Sequence, residues 1–271
     1  MHKFVDDGIV DSKIDMENVS VEDGQKDKHA IASQNVFRRV VHNAESIGMK
    51  VNAAKTCQVC ISDGLSYRAA AHIHTTDGQR IDSGEHMKIL GFHFGDRPTC
   101  AQHVQAMRRS FRGKYWLLIH LKQNGFTEDE LLKVYKTIIR PIVECCVPAF
   151  HSMITDQQDE LIERLQSTAL RYIYGFGPSY AELRQLSGLS TLRQRRIELT
   201  DKFANKCANN VRFAHWFFTS RPSRTSRHTM PYREEFARCD RLRNSPIYYM
   251  RRRLNGKEGK IYGVRNRRYR E

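Results

Sequence analysis

The chain has 271 residues, 40% of them hydrophobic and 28% charged, with 45 Lys+Arg against 30 Asp+Glu. That length builds one large globular domain or two modest ones, and no apolar run approaches the ~20 residues of a membrane-spanning helix. Seven cysteines, an odd number without framework spacing, exclude a disulfide scaffold. They read as reduced thiols of an intracellular protein of the nucleus or cytoplasm, and Met1-His2-Lys3 leading straight into Asp6 and Asp7 does not read as a signal peptide.

Lys3 to Met16 reads as two short strands around Asp6-Asp7-Gly8, because Asp-Gly between apolar stretches suits a hairpin whose glycine tolerates positive φ. Val19 to His29 is polar and reads as loop. Ser33 is placed as an N-cap, with Val36, Phe37, Val40, Val41, Ala44 and Ile47 at helical spacing behind it and Gly48 at C′. Lys50 to Ser62, Tyr67 to Thr75 and Met87 to Phe94 are β-type runs, and Asp77-Gly78 marks another hairpin.

From Pro98 the period changes to that of helices. Val104, Met107, Phe111, Tyr115, Leu118 and Leu121 make one apolar face that ends near Gly125. Thr127 with Glu130 forms a capping box ahead of Leu131, Val134, Tyr135, Ile138 and Ile139, and Pro141 is expected to interrupt that helix. Thr155 caps the next helix, whose stripe is Leu161, Leu165, Ala169, Tyr172 and Ile173. Ser179 to Leu186 is a short helix and Thr191 to Ala208 a long basic one. The order predicts an α+β fold: a small antiparallel sheet with one helix (1–97), a helical bundle (98–210) and a basic, partly irregular extension (211–271).

Charge is unevenly spread. From Leu189 onward there are 22 Lys+Arg against 7 Asp+Glu, while the part before it is neutral. A basic block of this size implies a polyanionic partner, most often nucleic acid. Arg251, Arg252, Arg253, Lys257, Lys260, Arg265, Arg267 and Arg268 are interleaved with Tyr248, Tyr249, Tyr262 and Tyr269, so cations can meet phosphates while rings stack on bases. A second arrangement stays open beside it: the segment folds back, with Tyr248, Tyr249 and Leu254 filling a groove of the bundle.

Several cysteine and histidine constellations carry less. Cys57-x-x-Cys60 near His72 and His74 lacks a second pair at zinc-finger spacing. Cys145-Cys146 beside His151 reads as core packing on an apolar helix.

Phe4-Val5-Asp6-Asp7 is the feature with chemistry in it. Two carboxylates at a hairpin tip suit Mg²⁺, a hard cation that takes one or two carboxylates plus substrate phosphates. Asp-Asp-Gly also makes an ordinary turn, and two downstream segments favour the metal reading. After one helix comes Gly48-Met49-Lys50-Val51-Asn52-Ala53-Ala54-Lys55-Thr56, and later Lys88-Ile89-Leu90-Gly91-Phe92.

In these motifs the chain resembles a reverse transcriptase of the non-LTR retroelement class. Phe4 to Asp7 is similar to the aromatic-x-Asp-Asp metal box of the palm. Gly48 to Thr56 looks like the motif whose lysine, here Lys55, sits near the phosphates of the incoming nucleotide. Lys88 to Phe92, with Gly91 at its turn, looks like the hairpin that grips the primer. The His103-Val104 neighbourhood, Tyr115-Trp116 and Tyr135 to Pro141 resemble the thumb. The resemblance implies RNA-directed DNA synthesis, a Mg²⁺-dependent nucleotidyl transfer with RNA and DNA as partners. In it Asp6 and Asp7 are the metal-binding catalytic pair, and Lys55, Lys88 and Gly91 bind substrate. Two-metal transfer takes carboxylates from separate strands. The family's other catalytic aspartate and its fingers belong ahead of Met1. The expectation is therefore a part of the enzyme that is inactive alone, with a partner chain able to supply the rest of the palm and no membrane association.

Overall fold

The computed structural model describes residues 3–4, 24–59, 73–81, 84, 86–95, 99–217, 231–234 and 240–257, with residues 3–4, 24–33 and 241 described by their backbone. The fold is α+β, mostly helical with three small two-stranded sheets, one parallel and two antiparallel. The chain divides into two compact units, Met1–Gln102 and His103–Glu271.

In the first unit, strand β1 (Lys3–Phe4) runs parallel to β2 (Met49–Lys50). Helix α1 (Gly24–Ser46) joins them. It begins well before the expected N-cap at Ser33, in the stretch expected to be loop. Its first turns are polar, so no apolar periodicity announces them, and periodicity begins only at Val36. Gly48 closes the helix with φ 74°, a conformation glycine adopts without steric cost. Val41 and Ala44 are buried on one face of α1, and Gln34 clamps the next hairpin. Its amide donates to the carbonyl of His74 at 2.8 Å and accepts from the His74 N–H at 2.7 Å.

That hairpin pairs β3 (Ile73–His74) with β4 (Arg80–Ile81) across Asp77-Gly78, as its turn signal predicts. The expected run from Lys50 to Ser62 is shorter as a strand, because Ala53–Lys55 is a 3₁₀ turn. Asn52 caps it by accepting from the N–H of Ala54, and the Thr56 hydroxyl donates back to the Asn52 carbonyl at 2.8 Å. A short polar side chain bonding nearby backbone competes with the sheet ladder. Strands β5 (His86–Ile89) and β6 (Phe92–Gly95) form the last hairpin of the unit.

In the second unit, α2 (Ala101–Gln123) buries Val104, Met107, Phe111 and Leu118, the face that its spacing predicts. The Thr127–Glu130 capping box starts α3 (Glu128–Val134). Pro141 does not end this helix. A π turn at Tyr135–Ile139 carries it into α4 (Arg140–Glu144), where Pro141 sits near the N-terminus. The extra residue in a π turn rotates the chain beyond it, so Ile138, expected on the buried stripe, is 43% exposed, while Ile139 is fully buried. The break comes at Cys145-Cys146, ahead of α5 (Val147–Phe150).

Helix α6 (Asp156–Tyr174) has a capping box of Thr155 with Gln158, and α7 (Tyr180–Ser187) one of Ser179 with Glu182. The buried line of α6 is Ile162, Gln166, Ala169, Leu170 and Ile173. Leu161, Leu165 and Tyr172 from the expected stripe are half-buried. The helix has neighbours on two sides, α3 on one and α7 with α8 (Leu192–Ala208) on the other, so its contact face is wider than one apolar stripe.

A polar cluster ties these helices together. Glu163 accepts from the N–H groups of Leu192 at 3.1 Å and Arg193 at 3.2 Å, which caps α8, and also from the Tyr180 hydroxyl. Gln166 accepts from the buried Tyr135 hydroxyl at 3.0 Å and donates to the Ser190 carbonyl at 2.9 Å. Arg196, fully buried, pairs with Asp159. No described helix is long and apolar enough to cross a membrane.

After α8 come a 3₁₀ turn (Val211–Trp216), α9 (Asp240–Arg243) and α10 (Pro246–Leu254). Helix α10 packs on α8 and α5. Its Met250 joins Ala204, Cys207 and Phe217 in a buried cluster flanked by Trp216, Ile247 and Leu254.

Candidate nucleic-acid interface

Asp6 and Asp7 lie outside the described residues, as do Lys260, Arg265, Arg267 and Arg268. Among the described residues, no group of three or more His, Cys, Asp or Glu is placed to hold a metal ion. Cys60 and His72 also lie outside them, and Cys57 is exposed.

Lys55 is exposed at the end of the 3₁₀ turn capped by Asn52. Asn52 and Thr56 thus have a local task, fixing the turn that presents the lysine.

Lys88 and Gly91 belong to the β5–β6 hairpin. Ile89 pairs with Phe92, so the loop is the two residues Leu90 and Gly91. Both have positive φ, 47° and 87°, the geometry of a tight hairpin turn that follows the twist of its strands. Leucine is a poor residue for this backbone, at a cost of roughly 1–2 kcal/mol, and Leu90 is 77% exposed. Buried packing therefore does not account for its presence at the tip.

The two faces of the hairpin differ. Lys88 pairs with His93 and His86 with Gly95, while Met87, Ile89, Phe92 and Phe94 share the other side. Burial, and then the charges of Lys88 and His86, hold the His93 imidazole below its ordinary pKa. Lys88 supplies the cation on that face, across from His93.

Arg251, Arg252 and Arg253, expected to meet phosphates, are engaged within the fold. On α10 they turn inward, and their donors meet internal acceptors. Arg251 Nε donates to the Trp216 carbonyl at 2.6 Å. Arg252 donates to the Arg243 carbonyl at 2.7 Å and to Asn244 Oδ1 at 3.2 Å. Arg253 makes a two-pronged pair with Asp201, its Nε 2.8 Å from Oδ1. Arg251 and Arg252 are 4% and 7% exposed, and burial lowers the pKa of Arg252. Lys257 pairs with Glu234 at 2.9 Å. The fold-back arrangement holds for Tyr249, which is buried with its hydroxyl 3.3 Å from His151 Nε2. The reason is geometric: on a helix against α8, the residues that reach the groove include the arginines, whose stems pack and whose heads find carbonyls and a carboxylate.

Helix α2 presents a basic surface that motif reading passed over. It carries Arg108, Arg109, Arg112, Lys114 and Lys122 and no carboxylate. Gln105, Arg109, Arg112 and Trp116 are exposed and recur at spacings of four, three and four, so they line one stripe. From Arg109 to Trp116 the stripe runs about 10 Å. Trp116 is 61% exposed, with His120 packed against its ring. Arg109, Arg112 and Lys114 make no hydrogen bond or ion pair among the described residues. Lys122, at the far end, serves the fold: its Nζ donates to the carbonyls of Tyr172 at 2.6 Å and Ile173 at 3.0 Å. The signal was present in the sequence at the scale of one element. Averaged over residues 1–188 the charge cancels; counted along α2 alone it does not.

No family model, no curated protein and no solved structure matches this chain.

Proposed function

We propose that this chain is the palm-to-thumb part of a retroelement reverse transcriptase, and that its own activity is binding nucleic acid. The observation that carries the binding is the α2 stripe: arginines with no partner among the described residues, beside an exposed tryptophan. Phosphates attract the first and unstacked bases suit the second. The family reading rests on the order of the motifs. It is supported by the positive-φ Leu90-Gly91 tip of the hairpin that resembles the primer grip, and by Lys88 paired with His93 beneath it.

Asp6 and Asp7 are the residues proposed to hold Mg²⁺, which in the family supplies charge stabilisation for nucleotidyl transfer. Two-metal transfer takes carboxylates from separate strands, and one adjacent pair does not provide them. Nucleotidyl transfer at this pair is therefore proposed to need a carboxylate from another strand, with RNA and DNA as ligands.

Anisotropy titrations of the purified chain against single-stranded RNA and DNA over a salt series test the binding. Arg109→Gln with Arg112→Gln is expected to flatten the slope of log affinity against log salt by about 1.4, at about 0.7 per phosphate contact on a single strand. Trp116→Ala is expected to weaken binding about 5- to 150-fold with the slope unchanged, from about 1–3 kcal/mol of stacking per base. Wild-type affinity and slope in both variants would refute the interface. In a primer-extension assay the chain alone is expected to add no nucleotide. Incorporation that disappears in Asp6→Ala would overturn that part of the reading.

A further inference from the structure

Cys145 and Cys146 form the joint between α4 and α5. The joint is two residues long and held on both sides by backbone: the Cys145 N–H donates to the Pro141 carbonyl at 2.9 Å, and the Cys146 carbonyl accepts from Ala149 at 2.9 Å. Cys145 is extended, and Cys146 is left-handed at φ 58°, ψ 17°. Such a φ is uncommon outside glycine, asparagine and aspartate. The two side chains face one another, with their sulfurs 3.5 Å apart. Cys145 is exposed and Cys146 half-buried. Core packing, the ordinary role of adjacent cysteines on an apolar helix, does not describe an exposed thiol at a helix break.

We propose that Cys145 and Cys146 are a thiol–disulfide modification site, which a low-molecular-weight disulfide oxidises to a bond between the adjacent residues. The exposed Cys145 thiolate attacks one sulfur of the small disulfide and expels the first small thiolate, leaving a mixed disulfide on Cys145. The Cys146 thiolate then attacks Cys145 Sγ and expels the second. Both protein S–H bonds are lost and one S–S bond forms. The protons leave on two small thiols, and the small disulfide takes up the two electrons.

Three observations favour closure between neighbours. The sulfurs already touch, so the second attack needs only a small approach. The joint lies between two helices, Cys145 at the end of one and Cys146 at the start of the next, so the two residues are not inside a regular helical ladder. The half-buried Cys146 is shielded from the small disulfide but not from Cys145, which assigns attack to one residue and resolution to the other. Adjacent Cα atoms are ~3.8 Å apart, nearer than in ordinary disulfides, which makes the bond strained and readily reduced. That is the character of a reversible site rather than a structural one.

The folded chain, incubated with glutathione disulfide and digested for peptide mass spectrometry, tests this. The incubation is run near pH ~9, because burial and then the contact with Cys145 push the Cys146 thiol up to about 11 and slow closure at neutrality. In the wild type the peptide holding both cysteines is expected to lose the mass of two hydrogens, and dithiothreitol restores it. Cys146→Ser is expected to stop at the mixed disulfide, with glutathione retained on Cys145 about tenfold more than in the wild type. Glutathione that stays on wild-type Cys145 without closure would overturn the proposal. So would the absence of any reaction there while exposed Cys57 is modified. The wild-type peptide alone separates these outcomes, so the result does not depend on how the variant folds.

Discussion

Replacing Arg251, Arg252 and Arg253 together by alanine is expected to destabilise the second unit by about 3–5 kcal/mol, and the magnitude follows from what each guanidinium holds. Arg253 and Asp201 are 22% and 31% exposed, so solvent screening leaves that pair about 1 kcal/mol despite its two-pronged geometry. Arg252 gives two charged hydrogen bonds, to Arg243 and Asn244, from a nearly buried position. Arg251 gives one to Trp216 and lies over the Tyr248 ring, 5.6 Å from its centre. A hydrogen bond to a charged group is worth about 1.5–3 kcal/mol. The desolvation of both arginines offsets part of that, and neighbouring losses are not additive. A loss of about 3–5 kcal/mol is a large part of the ~5–15 kcal/mol that holds a domain folded. Urea unfolding with linear extrapolation measures it, beside anisotropy titrations of the folded variant over salt. A variant that keeps its unfolding midpoint but loses affinity, with a flatter salt slope, would refute the reasoning. Its arginines would then be meeting phosphates, and the bonds to Trp216, Arg243, Asn244 and Asp201 would not be what positions them.

Arg196→Met is expected to cost about 2–4 kcal/mol in the same unfolding assay, below the ~3–5 kcal/mol usual for stranding a buried charge. Arg193 still lies 3.5 Å from Asp159; adding Asp159→Leu is expected to recover most of the loss. Leu90→Asn puts a residue that tolerates left-handed backbone at the hairpin tip. It is expected to stabilise the first unit by about 1 kcal/mol while weakening nucleic-acid binding; weaker thermal stability would contradict the strain at Leu90. Stability is also expected to fall with acid through Glu130 and Glu182, whose capping bonds from Thr127 and Ser179 hold both carboxyls below their ordinary pKa. A lowered folded pKa means the contribution is complete above the unfolded value of about 4.3 and is lost as pH falls through the lower folded value. Thermal melts followed by circular dichroism from neutrality down to acid measure the fall, which Thr127→Val with Ser179→Ala is expected to reduce.

The parts of this protein legible in its sequence are those decided within a turn or two of chain. Thr127 with Glu130 starts a helix because a hydroxyl and a carboxylate three residues apart satisfy two backbone N–H groups wherever the helix sits. The buried face of α2 follows from spacing alone, and so does the hairpin at Asp77-Gly78, where Gly78 takes φ 77°. The α2 stripe was equally local and needed only a charge count over one helix. The polar opening of α1 escaped because a periodicity reading has nothing to read in a polar stretch.

What the tertiary structure decided is which distant groups meet. Arg253 reaches a carboxylate 52 residues away and Arg196 one 37 residues away. Glu163 caps a helix that starts 29 residues after it. None of these pairings has a sequence period, since each depends on how α6, α8 and α10 lie against one another. The same holds for the π turn that exposes Ile138 and for the helix break that brings Cys145 to the surface. Arginine composition after Leu189 was plain from the sequence, and it pointed to a polyanion. Whether a given guanidinium faces solvent or a neighbouring carbonyl is a matter of packing, because a long apolar stem lets the same side chain satisfy its charge in either place.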